Sequence, residues 1–180
     1  MFSKFNSFAG SLKRKIFVGI SGISLLLFLA SCSNNDEQEK FEDRAFSSPV
    51  ENFTETGPNG DILDEDPDDW RISPFFAGLI QVDPAYPNPV KSTNKFIIQI
   101  NISTIESING IEIVALDEQR NFRTLALNTE IPLPPGFNEF EIDPINFTNT
   151  GVRANTPGLH RVFIFDLNDN MLTYGDIKVE

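Results

Sequence analysis

The sequence predicts an all-β fold over residues 72–180, a single immunoglobulin-like antiparallel β-sandwich of about seven strands. Three observations predict it. Short runs of β-branched and aromatic residues follow one another, most of them alternate apolar and polar side chains, and Pro, Gly, Asn and Asp stand between the runs. No convincing amphipathic helix interrupts the series. About seven short strands in about 100 residues are typical of such a sandwich.

The predicted strands can be placed one by one. The second shows the alternation most clearly, because Phe96 and Ile98 fall on one face while Gln99 and Asn101 fall on the other. The polar connector 168–170 predicts a hairpin turn between the last two strands. A single cysteine cannot form a disulfide between the sheets, so packing must hold them together. The seven predicted strands cover residues 79–82, 96–103, 110–116, 122–127, 139–142, 159–167 and 171–179.

The charge of the chain limits its function classes. It carries 26 acidic and 14 basic residues among 180, a net charge of −12. Residues 1–31 contain four basic residues and no acidic one, whereas residues 32–72 contain 13 acidic and three basic ones. A nucleic-acid binder must neutralise phosphates with Lys and Arg, so we predict no nucleic-acid partner. One Cys and one His leave few ligands for thiol or transition-metal chemistry.

The first 31 residues have the three parts of an export signal. A basic stretch ends at Lys15, an apolar run covers residues 16–30, and the sequence LASC follows at residues 29–32. As a helix the apolar run would rise about 22 Å, less than the roughly 30 Å hydrocarbon core of a bilayer, so we interpret residues 1–31 as a signal peptide. The LASC sequence resembles the lipobox of bacterial lipoproteins, which implies cleavage before Cys32 and lipidation of its sulfur. The alternative is an uncleaved signal anchor with an incidental cysteine.

This resemblance also implies a location. Several acyl chains on Cys32 would attach the mature protein stably to a membrane, since each buried methylene contributes about 0.8 kcal/mol. The polar, acidic run 33–39 is similar to the surface-export signal of Bacteroidota lipoproteins, and Ser33 is not the Asp that retains lipoproteins at the inner membrane. We therefore expect an outer-membrane lipoprotein on the cell surface, or alternatively on the periplasmic face.

Residues 32–71 are predicted to be the lipidated cysteine and a flexible acidic tether. The segment has few large aliphatic residues, no apolar period and a high negative charge, a composition that does not offset the entropy of ordering. Within it, residues 57–70 are loosely similar to the calcium repeats of thrombospondin type 3 and dockerin modules. Closely spaced oxygen ligands suit calcium. We favour a plain linker that ends where Trp70 docks on the domain, with no cofactor apart from the lipid. The alternative is a calcium site formed by Asp61, Asp64, Asp66 and Asp68.

The folded part resembles a known family. A YPNP motif at residues 86–89 precedes an apolar strand, a strand with an Asp-containing turn follows at 110–120, and a Pro-Gly strand at 157–166 precedes the closing strand 174–179. This order is similar to the C-terminal sorting domain of type IX secretion cargo in Bacteroidota, a small Ig-like sandwich. We take the fold from the resemblance and not the sorting role, because residues 128–156 lengthen the middle and the lipoprotein signal supplies another route. A secretion-associated, sorting-like role is an alternative.

The sequence contains no recognisable catalytic constellation, so we predict that the protein is not an enzyme. His160 begins a predicted strand beside Arg161, with no nucleophile in a recognisable context. Glu139, Glu141 and Asp143 alternate with apolar residues, the pattern of a solvated strand face rather than of a glycosidase pair. No phosphate loop, zinc spacing or dinucleotide fingerprint appears.

We therefore expect a binding or assembly module of an envelope complex, with a protein or glycan partner. The alternative is a carbohydrate-binding or small hydrolytic lipoprotein. Two structural features would distinguish these partners. A concave face with exposed aromatic side chains around Phe137, Phe140 and Phe147 would favour a glycan. An uncovered strand edge would favour a partner that adds a β-strand.

Overall fold

The computed structural model describes residues 35–104, 108–117 and 119–180. The predicted signal peptide, residues 1–31, and the predicted lipidation site, Cys32, lie outside the described residues. Residues Phe41–Glu180 form one compact unit. The folded unit thus begins about 30 residues earlier than the boundary at residue 72 that the sequence predicts.

All seven predicted strands are present, and two short strands precede them. The described residues also contain one α-helix, α1, over residues 35–47, and short 3₁₀ turns. In chain order the strands are β1 (Glu55–Thr56), β2 (Ile62–Asp64), β3 (Ile80–Tyr86), β4 (Phe96–Ile102), β5 (Ile111–Leu116), β6 (Phe122–Asn128), β7 (Gly136–Ile142), β8 (Gly158–Phe165) and β9 (Met171–Val179).

Strands β3 to β9 form two antiparallel sheets. The first has three strands in the order β3-β4-β7, and the second has four in the order β6-β5-β8-β9. The chain changes sheet after β4, after β6 and after β7, so neighbours in sequence are not always neighbours in space. The predicted all-β, sandwich-like fold is confirmed. Strands β1 and β2 pair with each other as a separate antiparallel hairpin.

The core lies between the two sheets. Phe96, Ile98 and Ile100 of β4 are fully buried, as the alternating pattern predicts. From the other sheet, Ile113 of β5 and Ile164 of β8 join the same apolar cluster. Because each sheet turns one face inward, every second residue of these strands supplies the core, and the period of two in the sequence was sufficient to find it.

The predicted flexible tether is wrong for the part of 32–71 that the structure describes. Helix α1 and the β1–β2 hairpin lie in this segment, and the side chain of Trp70 is buried in the core of the sandwich. The expected docking of Trp70 on the domain is thus observed, but the residues before it are part of the domain as well. Hydrogen bonds of polar side chains order this segment. Such bonds leave no apolar period in the sequence, so the periodicity of the sequence does not reveal them.

Helix α1 packs against the outer face of the four-stranded sheet. Seven of its 13 residues are Glu, Gln, Lys, Arg or Ala, which favour helix. Phe41 and Ala45 are one turn apart, so they share a face of the helix, and both are buried. The ring of Phe41 lies 5.4 Å from that of Tyr174 on β9. A second apolar cluster, on the outside of the sandwich, therefore holds the helix.

Candidate binding surface

The outer edge of β9 is closed by segments that run beside it. We call residues 54–73 the strap. The backbone N–H of Trp70 donates to the carbonyl of Tyr174 at 2.7 Å, and the N–H of Ser73 donates to the carbonyl of Leu172 at 2.9 Å. Residues 90–92 continue the closure at the end of the strand. Free edge groups recruit other chains, and these contacts leave few such groups along β9.

Asn88, from the YPNP motif, ties three segments together. Its side chain is fully buried. Its Nδ2 donates to the carbonyl of Thr54 at 2.8 Å and to that of Asp176 at 2.9 Å, and its Oδ1 accepts from the N–H of Lys178 at 2.8 Å. The strap, the 86–90 segment and β9 are thus joined by one amide. Asn88 therefore has a structural role in the motif.

A buried charged network lies between α1 and β9. The guanidinium of Arg161 forms a bidentate ion pair with Asp176, with both N–O distances at 2.8 Å. The same guanidinium donates to the carbonyls of Ala45 at 3.0 Å and Ser48 at 2.8 Å. A buried charge needs such partners, because desolvation is costly. The ion pair therefore connects the end of the helix to the sheet.

Asp69 extends this network into the strap. Its Oδ2 accepts from the N–H of Thr54 at 2.8 Å, and its Oδ1 accepts from the N–H of Asp176 at 3.1 Å. Burial, with a smaller contribution from the negative charge of Asp176, raises the pKa of Asp69 to about 7, although the two backbone hydrogen bonds act in the opposite direction. Burial also raises the pKa of Asp176, although its ion pair with Arg161 acts in the opposite direction.

The opposite side of the sandwich has uncovered strand edges. Strand β6 borders the four-stranded sheet and β7 borders the three-stranded one. Within the described residues, no backbone hydrogen bond from outside the sheets reaches either strand. Strand β7 carries Glu139 and Glu141, and edge charges discourage pairing. Strand β6 carries only Arg123, whose Nε donates to the carbonyl of Asn146 at 2.6 Å. A bulge at Leu125 and the 3₁₀ turn over residues 144–147, which contacts β6, also oppose pairing along part of the strand.

An aromatic patch lies on the outer face of the four-stranded sheet, beside the exposed flank of α1. We use this name for Phe46, Phe122, Phe163 and Phe165. The ring of Phe46 lies 5.0 Å from Phe163 and 5.9 Å from Phe122, and Phe122 lies 5.9 Å from Phe165. Phe122 is 55% exposed and Phe46 is 38% exposed. Leu127, on the same strand as Phe122, is also more than half exposed.

The three aromatic residues predicted to mark a glycan site do not form an exposed platform. Phe137 on β7 is 74% exposed, but Phe140 and Phe147 are buried. The ring of Phe147 stacks on Phe96 at 5.9 Å and on His160 at 4.4 Å. Its faces are thus occupied by other side chains of the domain. The feature that would favour a glycan partner is absent from this part of the described structure.

His160 lies in β8, the strand predicted for it. Its Nε2 makes a hydrogen bond of 2.8 Å with the carbonyl of Thr156, and burial lowers its pKa. A cavity of about 300 Å³ lies beside the ring. Its polar lining is bonded internally, since Nδ2 of Asn149 donates to Oδ2 of Asp117 at 2.9 Å. In the part of the chain that the structure describes, no side-chain hydroxyl or carboxylate bonds to His160. The absence of an enzymatic function stays a prediction.

Glu139 and Glu141 are exposed on β7, as the sequence predicts, whereas Asp143 follows the strand, caps the 3₁₀ turn at 144–147 and is only partly exposed. Glu139 accepts a hydrogen bond from a glutamine of β4 at 3.0 Å, and Glu141 pairs with Lys95 at 3.1 Å. Asp143 pairs with Arg153 through two hydrogen bonds of 2.7 Å. These hydrogen bonds hold the pKa of the Asp143 carboxyl below its usual range. Each carboxylate thus has a structural partner.

The candidate calcium ligands lie in and after the β1–β2 hairpin. Oδ1 of Asp66 accepts from the N–H of Asp68 at 3.0 Å. Among residues 35–104, 108–117 and 119–180, no three Asp, Glu, His or Cys side chains converge to hold a metal ion. Calcium binding by Asp61, Asp64, Asp66 and Asp68 stays an alternative. A saturable calorimetric titration with calcium that disappears on the change of Asp64 and Asp66 to Asn would support it.

Comparison with known proteins adds no assignment. No protein-family model matches the chain, and no curated protein is significantly similar to it in sequence. None of the helices that the structure describes is long and apolar enough to cross a membrane.

Proposed function

We propose that the protein is a lipid-anchored envelope protein that acts as a binding or assembly module and takes up an extended segment of a partner protein along β6. The contrast between the two edges of one sheet carries this proposal. The strap closes the edge at β9, whereas the edge at β6 has no backbone partner among the described residues. In strand addition the free N–H and C=O groups supply affinity and alternate side chains supply specificity.

The side chains of β6 suit this mode of binding. One row of exposed side chains lies beside the free backbone edge. It consists of the apolar Phe122 and Leu127 and the polar Thr124. The strand is seven residues long, which is enough to pair with a short extended segment. The glycan and hydrolase alternatives have weaker support, because Phe140 and Phe147 are buried and His160 bonds to a backbone carbonyl.

Cross-linking from the edge tests the choice of β6. A photo-reactive amino acid replaces Leu127 on β6 in one variant and the exposed Gln81 on β3 in a matched control, and both are irradiated in intact cells. We expect a defined protein adduct from position 127 and little or none from position 81. Equal adducts from both positions, or adducts from position 81 alone, would contradict binding along β6.

A separate experiment tests the anchor. The LASC sequence supports lipidation of Cys32, and multiple acyl chains give stable attachment. The Cys32→Ser variant should leave the membrane fraction or accumulate unprocessed. If it stays membrane-bound with the mature mass of the wild type, the lipoprotein proposal is wrong, whatever the cross-linking shows.

A further inference from the structure

We propose that the aromatic patch docks the domain on the surface of the bilayer that holds its anchor. The patch is exposed at Phe46 and Phe122, and Leu127 lies nearby on β6. This inference rests on the proposed lipidation of Cys32. It specifies which face of the domain contacts the lipid.

The short chain between the anchor and the compact unit limits where the domain can lie. Phe41, whose side chain is buried against Tyr174, lies nine positions after Cys32. Nine residues span at most about 30 Å even when fully extended. Phe41 and Phe46 belong to the same helix, so the attachment point of the chain is next to the patch. A tether that ended at residue 71 would have imposed no such restriction.

The chemistry of the patch suits a bilayer interface better than it suits water. Phenylalanine side chains that lie half exposed gain from contact with the apolar region beneath the headgroups. Charge does not supply the attraction, because the chain after residue 31 has 26 acidic and 10 basic residues and anionic lipids would repel it. Apolar contact of Phe46 and Phe122 with the lipid therefore keeps this face of the domain at the bilayer surface.

Membrane docking leaves the binding edge accessible. The patch lies on the face of the sheet, whereas the free N–H and C=O groups of β6 point sideways in the plane of the sheet. A partner segment can therefore form backbone hydrogen bonds with β6 while the patch contacts lipid, and the exposed side chains of Phe122 and Leu127 then lie where the partner and the bilayer meet. A second copy of the chain is the other occupant of the patch that the experiment below distinguishes.

Membrane docking of the patch can be tested without native lipidation if the protein is coupled to a lipid chemically. The chain from residue 32 keeps every residue that the structure describes, and its single cysteine, Cys32, couples to a maleimide phospholipid in phosphatidylcholine vesicles. The probes are Phe122→Trp, in the patch, and Phe137→Trp, an exposed position on β7. Trp70 is present in both variants as a common background. Brominated phosphatidylcholine then quenches any tryptophan that enters the bilayer.

We expect brominated vesicles to reduce the emission of Phe122→Trp strongly and that of Phe137→Trp no more than the background. A Phe46→Trp variant repeats the test if Phe122→Trp lowers the melting temperature. Absent or equal quenching at both positions would overturn the inference. So would sedimentation of the uncoupled chain as a dimer that shields position 122. Because coupling supplies the anchor, these results leave the lipoprotein proposal standing, and the Cys32→Ser experiment decides that proposal separately.

Discussion

At the scale of single residues, buried polar side chains hold the N-terminal part of the domain in place. Asn88 satisfies two carbonyls and one N–H from the strap and β9. Each of these groups would otherwise be buried or half-buried without a partner, at a cost of about 1–3 kcal/mol. One amide therefore stabilises contacts between segments that are far apart in sequence.

Replacement of Asn88 by Ala should lower the free energy of unfolding by about 3 kcal/mol, because it leaves these backbone groups unsatisfied. The matched control is Asn94→Ala, since Asn94 is exposed, and its effect should stay within about 0.5 kcal/mol. Urea unfolding at equilibrium measures both. Similar losses in the two variants would show that Asn88 does not join the segments.

Asp69 makes the stability of the domain depend on pH. Its pKa is 3.8 in an ordinary environment and about 7 in the folded domain. Between these values the folded state keeps a proton that the unfolded state has lost, so the free energy of unfolding falls as the pH rises. The stabilising contribution is complete below pH 3.8 and is lost as the pH rises through about 7.

The Asp69→Asn variant should remove this dependence, because an amide has no charge to desolvate. We expect the melting temperature of the wild type to fall more than that of Asp69→Asn when the pH is raised from about 5 to about 8 at constant ionic strength. Asp176 and Arg161 are present in both proteins, so the difference isolates Asp69. Parallel pH profiles would refute the buried position of its carboxylate.

At the scale of elements, helix α1 replaces the predicted tether. The strands β3 to β9 could be predicted because a buried strand face leaves a period of two in the sequence, as in Phe96, Ile98 and Ile100. Helix α1 could not, because Phe41 and Ala45 are its only buried apolar residues and charged residues surround them in the sequence. The strap could not either, because hydrogen bonds from Asp69 and Asn88 order it and leave no period.

The packing of α1 predicts that Phe41 stabilises the domain. Phe41→Ala should lower the free energy of unfolding by about 3 kcal/mol, since a buried phenylalanine leaves a cavity when truncated. Phe137→Ala serves as the control, because Phe137 is 74% exposed. Calorimetry compares the two. If Phe41→Ala unfolds like the wild type, the helix does not belong to the folded unit.

Only part of the candidate binding surface could be predicted from the sequence. An uncovered strand edge was one of two expected features, but the sequence does not say which edge neighbouring segments cover. That choice depends on the strap, whose Trp70 and Ser73 bond to β9. The aromatic patch joins Phe46 to Phe122 across 76 residues of sequence, and no local pattern connects positions so far apart.

At the scale of the whole domain, the structure is asymmetric. The strap closes the outer edge of β9, whereas the outer edges of β6 and β7 have no backbone partner within the described residues. Both proposals depend on this asymmetry: strand addition needs the open edge, and membrane docking needs the N-terminal segment to be part of the domain rather than a stalk.

Hydrogen–deuterium exchange, read by mass spectrometry, tests this central claim most directly. We expect slow exchange for peptides covering the strap, where the N–H groups of Thr54, Trp70 and Ser73 are bonded, and for β9. Peptides covering β6 should exchange faster than those of β9, because one edge of β6 faces solvent. Exchange of residues 54–73 at the rate of an unstructured chain, or equal protection of β6 and β9, would contradict the account.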